Sequence, residues 1–563
     1  MKNKISVTLF VLLLAISSFF SMACNPKQDI NQPKIPQTIG TTGLEYTLSD
    51  DGKFAICTGI GSATDTEITI SSHYNGVIVK EIKSSAFNGQ TSIVSLTIPE
   101  GVEKIGQKAF RNCKNLGSLT LPSTLTQIDA DAFYLCKKLY SVNNHSNLEI
   151  KRWESSNGFV GYYACNIYNS QTEIKGNTQT DGDYLVYTFG NESYIVEYTG
   201  SDVKPVIPDF VTGINCFAFY QNTFLSELSI PSNVKAIGAY AFWGNTSLKT
   251  ITFEENCSLE IIGSIAFEDC PIETFNFNDD INTWLNISFE SKESNPLFFV
   301  KNLELKIGDI ENIIIGENVT SIKKNAFYNC TNIKNITLSE SVETIDNYAF
   351  FNSSLENITF SKNGNLRKIG VKSFSREVET NYFDGKSNLN EGTAGPTIKS
   401  VNLPASLEVI DVEAFMNCEQ LESVNIDDDN KLTTIGDYAF CSCEGLKTFI
   451  IGDNSELTTI GSYSLQSCRK LNTFLLGRNS KLNSIGSMTF QYANALQKVF
   501  IPKTVETIGN YCFGGIGDRD PNGGRTTVLC IEADKDGLFW GGHFNSSLAK
   551  TEYNVTYEQF LLK

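Results

Sequence analysis

The chain has 563 residues, 41% of them apolar and 19% charged, with 37 Phe, so it carries the material for a packed interior and falls outside the disordered class. Its 45 Lys and Arg stand against 63 Asp and Glu, and the net charge of -18 repels phosphate backbones, which excludes nucleic acid as a natural partner.

At the N-terminus Lys2 and Lys4 precede an apolar run from Ile5 to Phe20, followed by Ser21, Met22, Ala23 and Cys24. This is the layout of a secretory signal over 1–23, with a small residue before the cut. The apolar run, from 5 to 20, is shorter than the roughly 20 residues of a membrane span. Cys24 is the expected lipid attachment site, because the thiol directly after Ala23 resembles a bacterial lipobox, with Ser21 where such sites usually carry Leu. Residues 24–43, polar and carrying Pro26, Pro33 and Pro36, then read as a tether, and the membrane is met only through that lipid.

Beyond the tether one phrase, I-G-x-x-A-F-x-x-C-x-x-L-x-x-[IV]-x-[IL], returns about fourteen times. Its aromatic position is Phe87, Phe110, Phe133, Phe219, Phe242, Phe267, Phe327, Phe350, Phe374, Phe415, Phe440, Leu465, Phe490 and Phe513. Most steps are 23 residues (87 to 110, 110 to 133) or 25 (415 to 440, 440 to 465), a period that means stacked coils. A solenoid grows by adding coils to one core, so the length does not imply several globular domains.

Each repeat supplies a half-buried strand. Leu116, Leu119 and Leu121 point inward while Ser118 and Thr120 point out. The return path crosses the opposite side of the coil, so successive strands lie parallel at about 4.8 Å. The predicted fold is therefore a β-rich solenoid with one long parallel sheet, short helical or irregular return segments and hairpin caps. Pro99, Pro122, Pro231, Pro404 and Pro502 end their strands, and polar loops at 427–432 and 453–457 replace that turn in longer repeats. On the far side the Phe rings stack into a hydrophobic spine.

Breaks in the phrase divide the chain. A cap hairpin and first repeat block occupy 44–142, an insertion 143–183, and a second hairpin with repeats 184–277. A second insertion, holding Trp284 and Asn295-Pro296, covers 278–316. The main repeat block covers 317–516 with an excursion at 375–397, and 517–563 closes the end, with Phe539 and Trp540 as closing residues.

Cys113, Cys136, Cys270, Cys330, Cys418, Cys443 and Cys468 all sit three residues after the aromatic position. Asn222, Asn245 or Ser353 takes that slot elsewhere, so it calls for a small side chain that hydrogen-bonds a neighbouring backbone group. A disulfide ladder is the other reading open to an exported chain; the spacing lacks the C-x-x-C pairs of zinc sites.

Catalytic signatures are absent. His73, His145 and His543 each stand alone, without a nucleophile motif. Asp518, Asp520 and Asn522 superficially open a calcium loop, but Leu529 stands where its closing Glu belongs, so an ordinary solvated turn is expected there and no cofactor. A sharper signal lies in the outward strand position about ten residues after each aromatic. It is short and polar at Thr97, Thr120, Asn143, Ser229, Thr252, Asn276, Thr337, Thr359, Asn402 and Asn425, then apolar at Ile450, Leu475 and Phe500. Such a strip meets something. Either another part of this chain folds over it, or it is a partner-binding surface.

The full phrase with its terminal proline, recurring over most of 77–516, resembles the repeat of BspA-like leucine-rich repeat proteins. That resemblance implies a leucine-rich repeat solenoid, an exported or surface protein and in some relatives adhesion, and it carries over no catalytic residue; with the lipobox at Cys24 the expected location is the cell envelope, outer membrane or cell surface, as a lipoprotein. The departures are the insertions and Leu465 in the aromatic slot. The expected function is non-enzymatic recognition of a protein or glycan, with a structural or scaffold role in the envelope as the alternative.

Overall fold

A computed structural model describes residues 37–169, 176–299, 311–331, 333–377, 379–380, 387–388, 395–517, 525–533, 540 and 543–562. The signal, Cys24, Phe539 and the calcium-like loop at Asp518, Asp520 and Asn522 lie outside the described residues. The chain folds as a solenoid of parallel ladders, as the repeat predicts.

Alternation sets the strands. In Ser118–Leu121 the inward Leu119 and Leu121 are buried and the outward Ser118 and Thr120 half-buried, and the strand pairs in parallel with Ser95–Thr97 before it and Ser141–Asn144 after it. The long sheet comes in stretches: five strands up to Asn166–Tyr168, three from Glu227–Ile230, three from Asn312–Ile314, and seven from Ser400–Leu403 to Ala549–Glu552. Most coils also add to a second parallel ladder on another side, from two-residue strands such as Lys104–Ile105, Gln127–Ile128, Thr434–Ile435 and Thr459–Ile460. These short strands bury only their Ile and precede the Gly of the motif, or Asp129 after Gln127–Ile128, which is too little alternation to read from sequence.

The Ala-Phe segment is a tight turn with a left-handed residue two before and two after the ring, as at Lys108 and Asn112 around Phe110 or Tyr438 and Ser442 around Phe440. For non-glycine residues this conformation costs about 1–2 kcal/mol each. The turn aims its polar groups along the stack: Phe87 N donates to Ala109 O at 2.7 Å and Phe110 N to Ala132 O at 2.8 Å. The motif thiols complete the pattern. Cys113, Cys136, Cys418, Cys443 and Cys468 each donate to the carbonyl of the aromatic residue one coil back, at 3.1–3.2 Å. The Cys slot thus serves the backbone, and no disulfide forms among the described residues.

Rings stack at the coil spacing. Phe415 lies 4.9 Å from Phe374 and 5.0 Å from Phe440, nearly parallel to both and fully buried. At Leu465 the rings detour through the strand side: Phe449 meets Phe440 edge-on at 5.0 Å, Phe474 meets Phe490 at 4.8 Å, and the two are 5.8 Å apart.

The stretch 143–183, read as an insertion, carries another turn of the coil. Phe133 N donates to Gly158 O, which stands in the place of the motif Ala, and Asn166–Tyr168 extends the strand ladder. In 278–316 Ser288–Phe289 continues the second ladder. Trp284 is buried against Phe275, Phe277 and Phe289 and donates through Nε1 to Ala326 O at 3.0 Å, tying this stretch to the next motif turn. One hydrophobic core therefore runs unbroken from Tyr184 to Ala549. Both hairpins form: Glu45–Leu48 pairs antiparallel with Ala55–Gly59, and Tyr184–Phe189 with Glu192–Tyr198. At the other end Trp540 Nε1 donates to Val505 O.

Candidate binding surface

Strand register turns the outward positions into straight rows. Thr97 lies beside Thr120 and Thr120 beside Asn143; Ser229, Thr252 and Asn276 follow one another, as do Asn402, Asn425, Ile450 and Leu475. The side chains project from a backbone held on both edges by neighbouring coils, so the face is pre-organised. Ser229, Thr337, Thr359 and Asn402 are exposed, while Asn143 is buried against the coil at 150–168.

A second polar row lies two residues upstream. There Asn335 Nδ2 donates to Asn312 Oδ1 at 2.7 Å and Asn357 Nδ2 to Asn335 Oδ1 at 2.6 Å, a side-chain ladder along the stack. The same period-2 alternation that marks the first row could have marked this one. Sequence reasoning also passed over Ile314, 74% exposed beside Thr337, because its coil lacks the motif.

The apolar strip points outward, and its last member is covered by the chain itself. Phe500 is buried under the C-terminal helix Tyr557–Leu562, with ring centroids 5.4 Å from Tyr557 and 5.5 Å from Phe560. Lys498 Nζ fastens the helix by donating to Phe560 O at 3.0 Å. Leu475 packs at the edge of this cluster and Ile450, one coil back, is half-exposed beyond it. Of the three candidates, Phe500 is therefore not available to a partner while the helix is seated, because a hydrophobic helix face has taken the ring.

The three histidines lie far apart in the fold. His73 pairs with Ser72 in the first cap, His145 follows the strand Ser141–Asn144, and His543 stacks on Tyr511 near the C-terminal end. No group of three or more metal-ligating side chains occurs among the described residues, and no described helix is long and apolar enough to cross a membrane.

The family described as BspA type leucine rich repeat region (6 copies) matches residues 66–178, 212–309, 305–395 and 393–517. No match was found among curated proteins. Solved structures similar to this chain include a leucine rich cell surface protein from Faecalibacterium prausnitzii A2-165, 18% identical over 80% of this chain and 96% of that one, with a TM-score of 0.27. A leucine-rich repeat protein from Bacteroides ovatus ATCC 8483 is 18% identical over 87% of this chain and 98% of its own, with a TM-score of 0.29. A third, from Eubacterium ventriosum ATCC 27560, is 16% identical over 85% and 94%, with a TM-score of 0.32.

Proposed function

We propose that this chain, which belongs to the BspA type leucine rich repeat family, is an exported, lipid-anchored envelope protein that binds a protein or glycan partner and carries out no catalysis. The single observation that carries the reading is the registered polar face. Rows of Thr, Ser and Asn repeat at the coil spacing on a backbone fixed from both sides. Such a face offers many weak hydrogen bonds spread over several coils, at little ordering cost, and suits a long partner better than a small one. Cys24 supplies the anchor, and the residues after it the reach to present the face away from the membrane.

The test has two parts. Protease shaving of intact cells should release the solenoid, since a surface binder must be reachable from outside. Binding of the full chain to immobilised matrix proteins and to a glycan array should then fall at least about tenfold when Thr337, Thr359 and Asn402 are replaced together by Arg, because these exposed positions sit mid-face. Retained binding in that variant, or complete protection from the protease, rejects the reading.

A further inference from the structure

Where the first run of coils meets the second cap hairpin, a cleft of about 290 Å³ opens between Lys114, Asn115, Lys137, Glu197, Phe217 and Tyr220. Its size sits at the low end of the roughly 300–1,000 Å³ of ligand pockets and suits one monosaccharide-sized group. Lys114 and Lys137 hold the same repeat position, four residues after Phe110 and Phe133, so the stacking of coils brings two ammonium groups to one rim. Lys137 Nζ lies 3.4 Å from the Tyr220 ring centroid and 4.6 Å from that of Phe217. The next residue, Lys138, is neutralised by Glu197 across the junction at 2.7 Å. Among the described residues neither Lys114 nor Lys137 forms an ion pair, in a chain whose net charge is -18. Burial, and then the nearby Lys114, pulls the Lys137 ammonium down to about 8, so the rim holds two like charges that an anion between them would relieve.

We propose that this cleft binds an acidic sugar, whose anionic group bridges Lys114 and Lys137 while its hydroxyls meet Asn115 and Glu197 and its C–H edge meets Phe217 and Tyr220. The mixture is what selects a sugar: a cation pair for the anion, an amide and a carboxylate for hydroxyls, and half-exposed aromatic edges for the ring. Asn115 Nδ2 is already committed to Thr91 O at 2.8 Å, which leaves its carbonyl oxygen as acceptor for a sugar hydroxyl. An acidic peptide would satisfy the ammonium groups, but a cleft of about 290 Å³ has room for little beyond one of its side chains. The cleft lies past the return turn, off the outward strand rows, and so stands apart from the sheet-face reading.

The experiment titrates the full chain at low ionic strength with glucuronic acid, glucose 6-sulfate, glucose, acetate and a short polyglutamate peptide, following binding by calorimetry. Saturable binding of glucuronic acid or glucose 6-sulfate, at least about tenfold tighter than glucose or acetate and weakened about tenfold or more in Lys114→Gln/Lys137→Gln, is the expected result. Which of the two sugars binds tighter separates a carboxylate from a sulfate ligand. Equal binding of glucose, equal binding of acetate, tighter binding of polyglutamate, no binding, or an unchanged double variant would each overturn the proposal. Circular dichroism checks the fold of the double variant, and Lys114→Gln alone, at an exposed side chain, gives the same readout where Lys137→Gln does not fold. The triple Arg variant of the strand face should bind the sugar as the wild type does, so the two proposals fail independently.

Discussion

Leu465 stands where its neighbours carry Phe440 and Phe490, so a repeat-consensus argument makes Leu465→Phe a stabilising change. The packing argues the reverse. Phe449 and Phe474 enter from the strand side and lie edge-on to Phe440 and Phe490 at 5.0 and 4.8 Å, closing the ring column around a fully buried Leu465. One coil back, the strand position beside Phe449 is Val424, a far smaller side chain. A third ring at 465 therefore has nowhere to go, and overpacking of this kind costs about 1–3 kcal/mol. Replacing Phe449 and Phe474 by Leu in the same chain makes room for the new ring with little net change of volume, so the triple variant should return to within about 1.5 kcal/mol of wild type. A solenoid this long opens locally, so the assay is native-state hydrogen exchange over residues 440–490 rather than a global melt. The single variant should exchange about 5- to 150-fold faster there, from tenfold per 1.4 kcal/mol, and the triple variant nearly as wild type. Slower exchange in Leu465→Phe, or a triple variant worse than the single, refutes the ring detour.

Other outcomes follow from the same geometry. Ile265 is a β-branched residue held at φ 61°, where L residues lose about 1–2 kcal/mol; Ile265→Asn, the residue found at the equivalent Asn325, should raise local stability by about 1 kcal/mol, read as roughly fivefold slower amide exchange in that coil. Burial pushes Cys57, Cys216, Cys270 and Cys512 each up to about 12 from an ordinary 9.0. Between those values the unfolded chain loses protons that the folded chain keeps, so stability, complete below pH 9, should fall as pH rises; a urea midpoint that stays level or climbs from pH 9 to 11 contradicts this. Phe560→Asp should lift the C-terminal helix and expose Phe500 and Leu475, seen as increased binding of an apolar dye with the strand signal unchanged; no added dye binding would mean that the helix does not cover the strip.

The hairpin and coil stacking were legible because each rests on residues close in the chain. The inward and outward positions of Ser118–Leu121 follow from alternation within four residues, and the row from Thr97 to Leu475 follows from adding one period at a time. The coil at 150–168 was not legible, since Gly158 stands where the motif has Ala and Tyr162 where it has Cys, and only the hydrogen bond from Phe133 reveals the equivalence. The second ladder was hidden for a different reason: two residues such as Thr434–Ile435 are too few to show a period.

By itself, then, the sequence determined the coil, its period, the side each residue faces and the column of rings, because these depend on spacing along the chain. The tertiary structure decided what lies over each face. That the helix Tyr557–Leu562 sits on Phe500, that Phe449 and Phe474 stand in for a missing ring, and that Lys137 meets Phe217 and Tyr220 across a junction are contacts between segments many residues apart. Periodicity specifies a direction for a side chain and carries no information about which distant surface will arrive there, which is settled only when the whole column is stacked and its ends are closed.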